Sequence, residues 1–289
     1  MKLTLLGTGT SFGVPVVGCT CRVCTSDDPR DQRHRSAALL DLPEGRLLVD
    51  APPELRIHLL REGVDRIDAV WITHPHADHL HGLDDLRIFT TKHRTTITAW
   101  LSDAHRAEIE NRFPYVFDEA FTVPDGTTKP QIRIEEVHDG RAVDLLGSQF
   151  TPIAVPHGQM QSYGFRVGPL GYITDGKSLP PAAIDVLRGV DTLVVNALWW
   201  GNPHPTHFNI EEAIEAARLV GARQTFLVHL THRVLHAELE AELPDGIRPG
   251  HDGLVLEFDV EGDQVSAREP ASGGAPVARA ADDSGGETR

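Results

Sequence analysis

The sequence predicts a layered α/β fold, because strand-like and helix-like segments alternate along most of its length. The chain has 289 residues, of which 40% are hydrophobic and 24% charged, an ordinary balance for a globular protein with a sizeable core. Residues 211–220 form the clearest predicted helix. Asn209 can cap this helix, Glu212 occupies the capping-box position, and Gly221 follows as a stop signal.

Strands are predicted from short β-rich runs that are bounded by turn residues. Residues 37–42 and 46–49 flank a Pro-Glu-Gly turn and predict a hairpin. The runs at 192–197 and 224–228 are apolar throughout, which suits central positions in a sheet. Further strands are predicted at 1–7, 69–73, 95–101, 131–137, 150–155, 163–167 and 171–174, and helices at 53–61 and 103–113.

The end of the chain differs in composition from the rest. It is rich in Gly, Ala, Pro, Ser and Asp and has little apolar content, so it cannot bury enough surface to offset its ordering entropy. We therefore expect one folded domain over residues 1–262 and a disordered C-terminal tail over residues 263–289.

The charge and hydropathy of the chain argue against several classes of partner. The formal net charge is −15 at pH 7, and no Lys/Arg stripe supplies the basic footprint that a long nucleic acid needs. No stretch approaches the roughly 20 consecutive apolar residues of a membrane span. The start of the chain is typical of a strand, not of a secretory signal. We expect a soluble cytoplasmic protein without a membrane or nucleic-acid partner.

Three histidines and one aspartate lie within six positions, where a β-rich run gives way to a helix-like pattern. In an extended turn His74 and His76 can point the same way, while Asp78 and His79 project from the start of the helix. Imidazoles combined with a carboxylate suit Zn, Fe or Mn. A polar loop that happens to be rich in histidine is the alternative, but this density of ligand types favours a metal site.

The segment His74-Pro75-His76-Ala77-Asp78-His79 resembles the H-x-H-x-D-H signature of the metallo-β-lactamase superfamily. The resemblance implies an αββα four-layer sandwich, in which two mixed β-sheets are flanked by helices and the metals lie at the edge of the sheets. The later ligands of this family follow strands. Three residues that follow β-rich runs match them in the family's order: His157, Asp175 and His229.

The resemblance further implies an active site with two divalent ions, Zn or Mn. His74, His76 and His157 would hold one ion, and Asp78, His79 and His229 the other, with Asp175 bridging them. Asp78 counts among the catalytic residues as well. Asp50 resembles the family's carboxylate that orients a ligand imidazole, although a turn-capping role is the alternative.

Cys19, Cys21 and Cys24 place three thiols within six residues of a glycine-flanked loop. An odd number of closely spaced cysteines argues against disulfides, which leaves buried free thiols or a thiolate metal site. A tetrahedral zinc needs a fourth ligand, for which His232 is the candidate. The pattern resembles the cyclic-phosphate phosphodiesterases of bacterial phosphonate degradation, whose structural zinc has three N-terminal cysteines and a histidine three places after the last catalytic histidine.

The resemblance to this branch covers about residues 1–258 and implies a metal-dependent phosphodiesterase. Its expected substrate is a small phosphodiester, such as a ribose 1,2-cyclic phosphate. His207 resembles the branch's extra active-site histidine and is expected to protonate the leaving alkoxide. Trp199 and Trp200 are expected near the mouth of the site, either stacking a substrate ring or packing in the core. Four other histidines have no such context and are expected at the surface: His58, His93, His204 and His251.

Other functions remain open at this point. RNA 3′-end processing, as in the related tRNA endonucleases, conflicts with the acidity of the chain. A non-hydrolytic role, as in the pyrroloquinoline-quinone synthesis protein B, fits less well with a complete set of ligands. Hydrolysis of a β-lactam, lactone or thioester stays open because a metal site does not by itself select phosphorus. Members of the family often dimerise, so a homodimer is also an expectation.

Overall fold

Fifteen strands occur in the described residues of this computed structural model, which are 1–118, 120–258 and the backbone of Val265–Arg268. They are β1 (Lys2–Gly7), β2 (Ala37–Leu42), β3 (Gly45–Val49), β4 (Ala69–Trp71), β5 (Ile97–Ser102), β6 (Ile132–Val137), β7 (Val143–Leu145), β8 (Ser148–His157), β9 (Met160–Val167), β10 (Leu170–Ile173), β11 (Thr192–Asn196), β12 (Gln224–Val228), β13 (Ile247–Pro249), β14 (Val255–Phe258) and β15 (Val265–Arg268).

Within this part of the chain the strands form two mixed sheets. The first has the order β15-β14-β1-β2-β3-β4-β5-β6, and the second has the order β13-β12-β11-β10-β9-β8-β7. In the first sheet β3 to β6 run parallel and the other pairs are antiparallel. In the second sheet β10 to β13 run parallel, while β7 to β10 are antiparallel. The carboxyl ends of parallel strands from both sheets can therefore contribute side chains to one site.

Eight α-helices accompany the sheets in the described residues. They are α1 (Leu55–Arg61), α2 (Ala77–Leu80), α3 (Arg87–His93), α4 (Asp103–Arg112), α5 (Pro114–Phe117), α6 (Pro181–Leu187), α7 (Ile210–Val220) and α8 (His236–Glu242). Helix α7 has the expected capping box, in which the Asn209 side chain accepts from the Glu212 backbone N–H. Gly221 ends the helix in the left-handed conformation that favours glycine, with φ 74°.

Three apolar clusters explain why the chain forms four layers. One lies between the two sheets and joins inward residues of β1 to β4 with those of β8 to β12. A second packs α1, α3 and α4 against the outer face of the first sheet, and a third packs α6, α7 and α8 against the second sheet. Burial of both faces of each sheet produces the αββα sandwich that the sequence resemblance implied.

The aromatic side chains between the sheets provide a test of this packing. Phe165 on β9 is fully buried, and its ring centroid lies 5.1 Å from those of Trp71 and Phe150. We expect Phe165→Ala to lower the free energy of unfolding by about 3–5 kcal/mol, because it leaves a cavity between the sheets. Chemical denaturation measures this loss. Phe121→Ala, at a ring that is 45% exposed, is the control and should cost less than about 1 kcal/mol; equal losses would contradict the packing.

Most of the predicted elements are confirmed, with ends displaced by one to three residues. The predicted end of the folded domain at residue 262 is earlier than the last strand, since β15 pairs with β14 and lies inside the predicted tail. The rest of that tail, residues 269–289, lies outside the described residues, as does the predicted boundary itself. No helix in the described part of the chain is both long enough and apolar enough to cross a membrane.

Candidate metal centre and active site

The first predicted group of ligands converges at the edge of the two sheets. His74 and His76 follow β4, and His157 ends β8. The Nδ1 atom of His76 lies 2.9 Å from Nε2 of His74 and 3.1 Å from Nε2 of His157. Burial lowers the pKa of each of these three imidazoles, so they are neutral and present lone pairs to a common point. This is the protonation state that a metal ligand needs.

The second group surrounds the Asp175 carboxylate. Asp175 Oδ2 lies 3.4 Å from His79 Nε2 and 3.7 Å from His74 Nε2, and its Oδ1 lies 3.3 Å from His229 Nδ1. His79 Nε2 is also 3.3 Å from Asp78 Oδ2. Asp175 therefore stands between the two predicted groups, as a bridging ligand must. His74, His79 and Asp175 form one possible set of metal ligands, and Asp78, Asp175 and His229 another.

The chemistry of this donor set fits divalent ions. Bonds of 2.0–2.1 Å to a tetrahedral zinc place ligand atoms about 3.3 Å apart, close to the separations found around Asp175. His79 Nε2 is buried and has no hydrogen-bond partner in the described residues, although two carboxylates lie near it. Such an orphaned buried atom is costly unless a ligand satisfies it. The residues present therefore fit two divalent ions.

Electrostatics keep the carboxylates of the site ionised. Burial opposes the charge on Asp78, but His79 beside it lowers the pKa of Asp78 to about 2. Burial likewise opposes the charge on Asp175, and His229 and His79 overcome it to hold the Asp175 pKa well below its usual range. Burial lowers the pKa of His229 itself to about 4. Burial opposes the charge on His79, but Asp175, Asp78 and Asp50 overcome it and raise the His79 pKa well above its usual range. The site thus combines ionised carboxylates with a neutral His229 and a charged His79, whose proton a metal ion would have to displace.

Partners behind the candidate ligands fix their orientation. Asp50 Oδ2 accepts from His79 Nδ1 at 2.7 Å, as the sequence resemblance implied, and this leaves Nε2 free for a metal. The backbone N–H and the hydroxyl of Thr73 hold the same carboxylate. His157 Nδ1 lies 3.1 Å from the carbonyl oxygen of Thr206. These contacts preorganise the rings before any ion binds.

Residues with an unusual backbone conformation are concentrated at the same edge of the sheets. Among the described residues, five non-glycine residues have positive φ, and three of these are Asp50, Asp175 and His229. They follow β3, β10 and β12, with φ between 55° and 62°. A non-glycine residue in the left-handed conformation costs roughly 1–3 kcal/mol. The presence of three such residues at strand ends beside the candidate ligands therefore indicates a functional constraint.

His207 lies at the edge of this cluster. Its Nε2 is 3.1 Å from Asp175 Oδ2, and its ring stacks on that of His229 with centroids 4.9 Å apart. Its Nδ1 lies 2.8 Å from the Thr206 hydroxyl and 3.2 Å from His204 Nδ1. His207 Nε2 is therefore within reach of a group bound at the candidate metals. Thr206 and His204 contact the opposite ring nitrogen, Nδ1, and fix the orientation of the ring.

A second cluster joins the N-terminal loop to the segment after β12. The sulfur atoms of Cys19, Cys21 and Cys24 lie 3.3, 3.6 and 3.5 Å from His232 Nδ1. Zn–S bonds of about 2.3 Å and a Zn–N bond of about 2.0 Å predict a separation of about 3.5 Å at a tetrahedral zinc. The backbone N–H of Cys24 helps to lower the pKa of Cys21 to about 6, which favours the thiolate. The four residues fit a structural zinc.

Comparison with known proteins identifies the family. The model of the "Beta-lactamase superfamily domain" matches residues 45–230. The chain belongs to this superfamily. A diphosphatase of the PhnP family, known from its crystal structure, has 37% sequence identity and a TM-score of 0.81 over 89% of this chain and 98% of its own. Within the superfamily the chain thus falls in the PhnP-like branch, and the two matches together support a metallo-hydrolase.

Two further proteins are similar to this chain, one in sequence and one in structure. An octanoyltransferase of Porphyromonas gingivalis is 36% identical over 272 residues, which are 93% of this chain but 54% of that protein. The chain thus spans about half the length of this curated relative. Zn²⁺-bound PqqB from Methylobacterium extorquens has 18% identity and a TM-score of 0.71, over 89% of this chain and all of that one, and shares the superfamily fold.

The sequence located the ligand-type residues of both clusters but misplaced several other histidines. The prediction that His58 and His251 lie at the surface was wrong, since both are buried. His204 is half-buried and faces His207, whereas His93 is exposed as expected. For His58 a signal existed: it shares the buried face of α1 with Leu55 and Leu59, at helical spacing.

The two tryptophans have different environments. Trp199 lines a cavity beside His207. Trp200 packs against the apolar cluster of the second sheet, and its indole N–H is buried without a partner in the described residues. Packing, one of the two predicted roles, thus describes Trp200, while Trp199 stays available to a ligand.

Proposed function

We propose that the chain is a metal-dependent hydrolase that cleaves a small phosphodiester, such as phosphoribosyl 1,2-cyclic phosphate. The observation that carries the proposal is the position of His207, whose Nε2 lies 3.1 Å from Asp175 Oδ2. His207 could form a ligand set with His157 and Asp175, but neither of the two predicted ligand groups needs it. It is placed to protonate a poor leaving group, which an alkyl phosphodiester has.

The proposed mechanism assigns a task to each group of residues. Two divalent ions at the site would supply a water activated near neutral pH and positive charge against the phosphoryl oxygens. Asp50 keeps His79 in the orientation that presents Nε2. His207 passes a proton from Nε2 to the leaving oxygen, and Thr206 holds the opposite side of that ring. The cysteine cluster ties the N-terminal loop to the segment next to His229.

A diphosphate is the second candidate substrate. The relative that is 37% identical is described as a diphosphatase, and the same attack on phosphorus would cleave a phosphoanhydride. RNA fits less well, because the chain carries a net charge of −15. A cytoplasmic location and a homodimer stay predictions.

The proposal is tested with a panel of substrates and purified protein loaded with Mn²⁺ or Zn²⁺. The panel contains cyclic and linear phosphodiesters, a dinucleoside diphosphate, short RNA, a lactone, a thioester and a β-lactam. We expect turnover of the small phosphodiesters, abolished by His76→Ala and retained by His93→Ala at an exposed histidine. Turnover of only the lactone, thioester or β-lactam would contradict the substrate class and leave the metal site standing.

The role of His207 has a test of its own. We expect His207→Ala to slow hydrolysis of an alkyl phosphodiester by about 10²–10⁴-fold, because the alkoxide then leaves without a proton. A p-nitrophenyl diester should lose much less, since nitrophenolate leaves unprotonated. Steady-state kcat values on the two substrates decide the point, and equal slowing of both would refute a proton-donor role.

A further inference from the structure

The turn after β1 connects the two sheets next to the candidate metal site. Gly9 forms parallel β-bridges with Arg35, just before β2, and with Leu230, which follows the last candidate ligand. The backbone N–H of Leu230 donates to the carbonyl oxygen of Thr8 at 2.9 Å. The turn therefore fixes the backbone next to His229.

Glycine is required in this turn because the chain passes very close to the segment before β2. A Cβ atom on Gly9 would lie 2.8 Å from the carbonyl oxygen of Arg33 and 3.0 Å from that of His34. A residue with a side chain could not make this approach without moving the backbone. The approach brings the Gly9 carbonyl oxygen within 3.0 Å of the Ser36 hydroxyl, which donates to it.

Ser36 contacts a candidate ligand as well as the turn. Its side chain is buried, and its Oγ lies 3.0 Å from His229 Nδ1. A serine hydroxyl has one proton, which Ser36 donates to the Gly9 carbonyl, a group that can only accept. The Ser36 oxygen is then left to accept a proton from His229 Nδ1.

The Asp175 carboxylate favours the same proton position. Asp175 Oδ1 lies 3.3 Å from His229 Nδ1, and an ionised carboxylate can only accept. A lone pair on Nδ1 would face two acceptors, whereas a proton there is attracted to both. A neutral imidazole carries one N–H, so a proton on Nδ1 leaves the lone pair on Nε2. His229 lines the cavity that also contains Asp78, and among the described residues its Nε2 makes no hydrogen bond.

We propose that Ser36 is a positioning residue for the candidate metal centre: its hydroxyl, held by the Gly9 carbonyl, keeps the proton of His229 on Nδ1 and presents Nε2 to a divalent ion. Asp50 orients the ring of His79 in the same way, through Nδ1. A serine does this without adding negative charge to the site. The inference rests on the two-metal site of the proposed function, whereas the substrate does not enter it.

The effect of Ser36 falls on one of the two ions. His229 belongs to one predicted ligand group and not to the other, so only the ion held by its group depends on its orientation. Removal of a partner that orients a ligand lowers metal affinity by about 10- to 100-fold. We expect Ser36→Ala to weaken one equivalent by this factor and to leave the other close to its wild-type affinity.

The test is a titration of Mn²⁺ into chelator-treated, full-length protein that keeps the zinc of the cysteine cluster, with free Mn²⁺ counted by electron paramagnetic resonance. Mn²⁺ suits imidazole and carboxylate ligands better than thiolates, so it reports on the histidine cluster. Identical affinities of wild type and Ser36→Ala for both ions would overturn the proposal. Equal weakening of both ions would also overturn it, because that result indicates a general loosening of the site.

Ser102→Ala is the matched control for Ser36→Ala. Ser102 is buried as well, and its hydroxyl accepts from the backbone N–H of Ala104 at the start of α4. Its side chain makes no hydrogen bond to a candidate ligand among the described residues. Both Mn²⁺ affinities should therefore match those of wild type, which separates the loss of a buried hydroxyl from the loss of the contact with His229.

The position of the His229 proton gives a second readout, which needs neither bound Mn²⁺ nor turnover. We record ¹⁵N-histidine NMR spectra at about pH 8, where an ordinary imidazole is neutral, and assign the His229 signals by their absence in His229→Gln. Wild-type protein should carry the proton on Nδ1, and Ser36→Ala should exchange that proton with water faster. A proton on Nε2 in wild type, or equal exchange rates, would overturn the proposal. If wild-type protein binds no Mn²⁺ at the histidine cluster, the proposed function itself fails, and these spectra alone decide the role of Ser36.

Discussion

Asp175→Asn is expected to lower kcat/KM for a phosphodiester by about 10³-fold or more and to reduce the bound metal by at least one equivalent. Asparagine keeps the size of the side chain but removes the charge that lies between the two ligand groups. The remaining carboxylates could not bridge two cations, since Asp78 faces His79 on one side and Asp50 is engaged behind the His79 ring. Kinetics and metal analysis of the same sample measure both effects.

The control for this change is Asp185→Asn, at an aspartate of α6 whose side chain is 74% exposed. It removes one negative charge from the same protein, so it reports the effect of net charge alone. We expect its activity and metal content to match wild type. An Asp175→Asn protein that keeps full activity and two active-site metals would show that Asp175 does not bridge them.

Cys21→Ser is expected to remove one equivalent of zinc and to lower the thermal midpoint markedly. The cysteine cluster connects segments that are 208 residues apart in sequence, and a cross-link of that span stabilises the folded state by roughly 5 kcal/mol in the chain-entropy model. In a protein of this size such a loss corresponds to roughly 10–20 °C. Metal analysis and calorimetric melting provide the two readouts.

Thr20→Ser, at an exposed position between two of the cysteines, is the matched control for Cys21→Ser and should change neither readout. The same experiment separates the two metal sites, because the serine variant should still bind two ions at the histidine cluster. An unchanged melting point together with an unchanged zinc content would leave the three cysteines as free thiols.

The parts of the site that could be predicted from the sequence are those with a local pattern. The spacing of the ligand-type residues between His74 and His79 predicts one metal site, and the clustering of the three cysteines predicts another. Residues that are close together in one loop are necessarily close together in space. His157, Asp175 and His229 are far apart in sequence, and only their match to the order of ligands in a known family identified them. The layered fold followed from alternation of strand and helix patterns, with α7 the most sharply bounded because its caps are encoded locally.

Residues that act through long-range contacts left no such pattern. The Ser36 hydroxyl lies 3.0 Å from His229 Nδ1, although the two residues are 193 positions apart in sequence. The Arg233 guanidinium carbon lies 4.2 Å from the ring centre of Trp199, which is 34 positions earlier. Such pairings depend on how segments that are distant in sequence pack together, which neither residue encodes alone.

The most direct test of the proposed dinuclear site is a titration of Mn²⁺ into chelator-treated protein, with phosphodiester turnover and bound metal measured at each step. A chelator that spares the zinc of the cysteine cluster keeps the two sites distinguishable. The account predicts no turnover without added metal and a rise that levels off at two equivalents per chain at the histidine cluster. Full turnover at one equivalent or fewer, or turnover that the chelator does not affect, would contradict it.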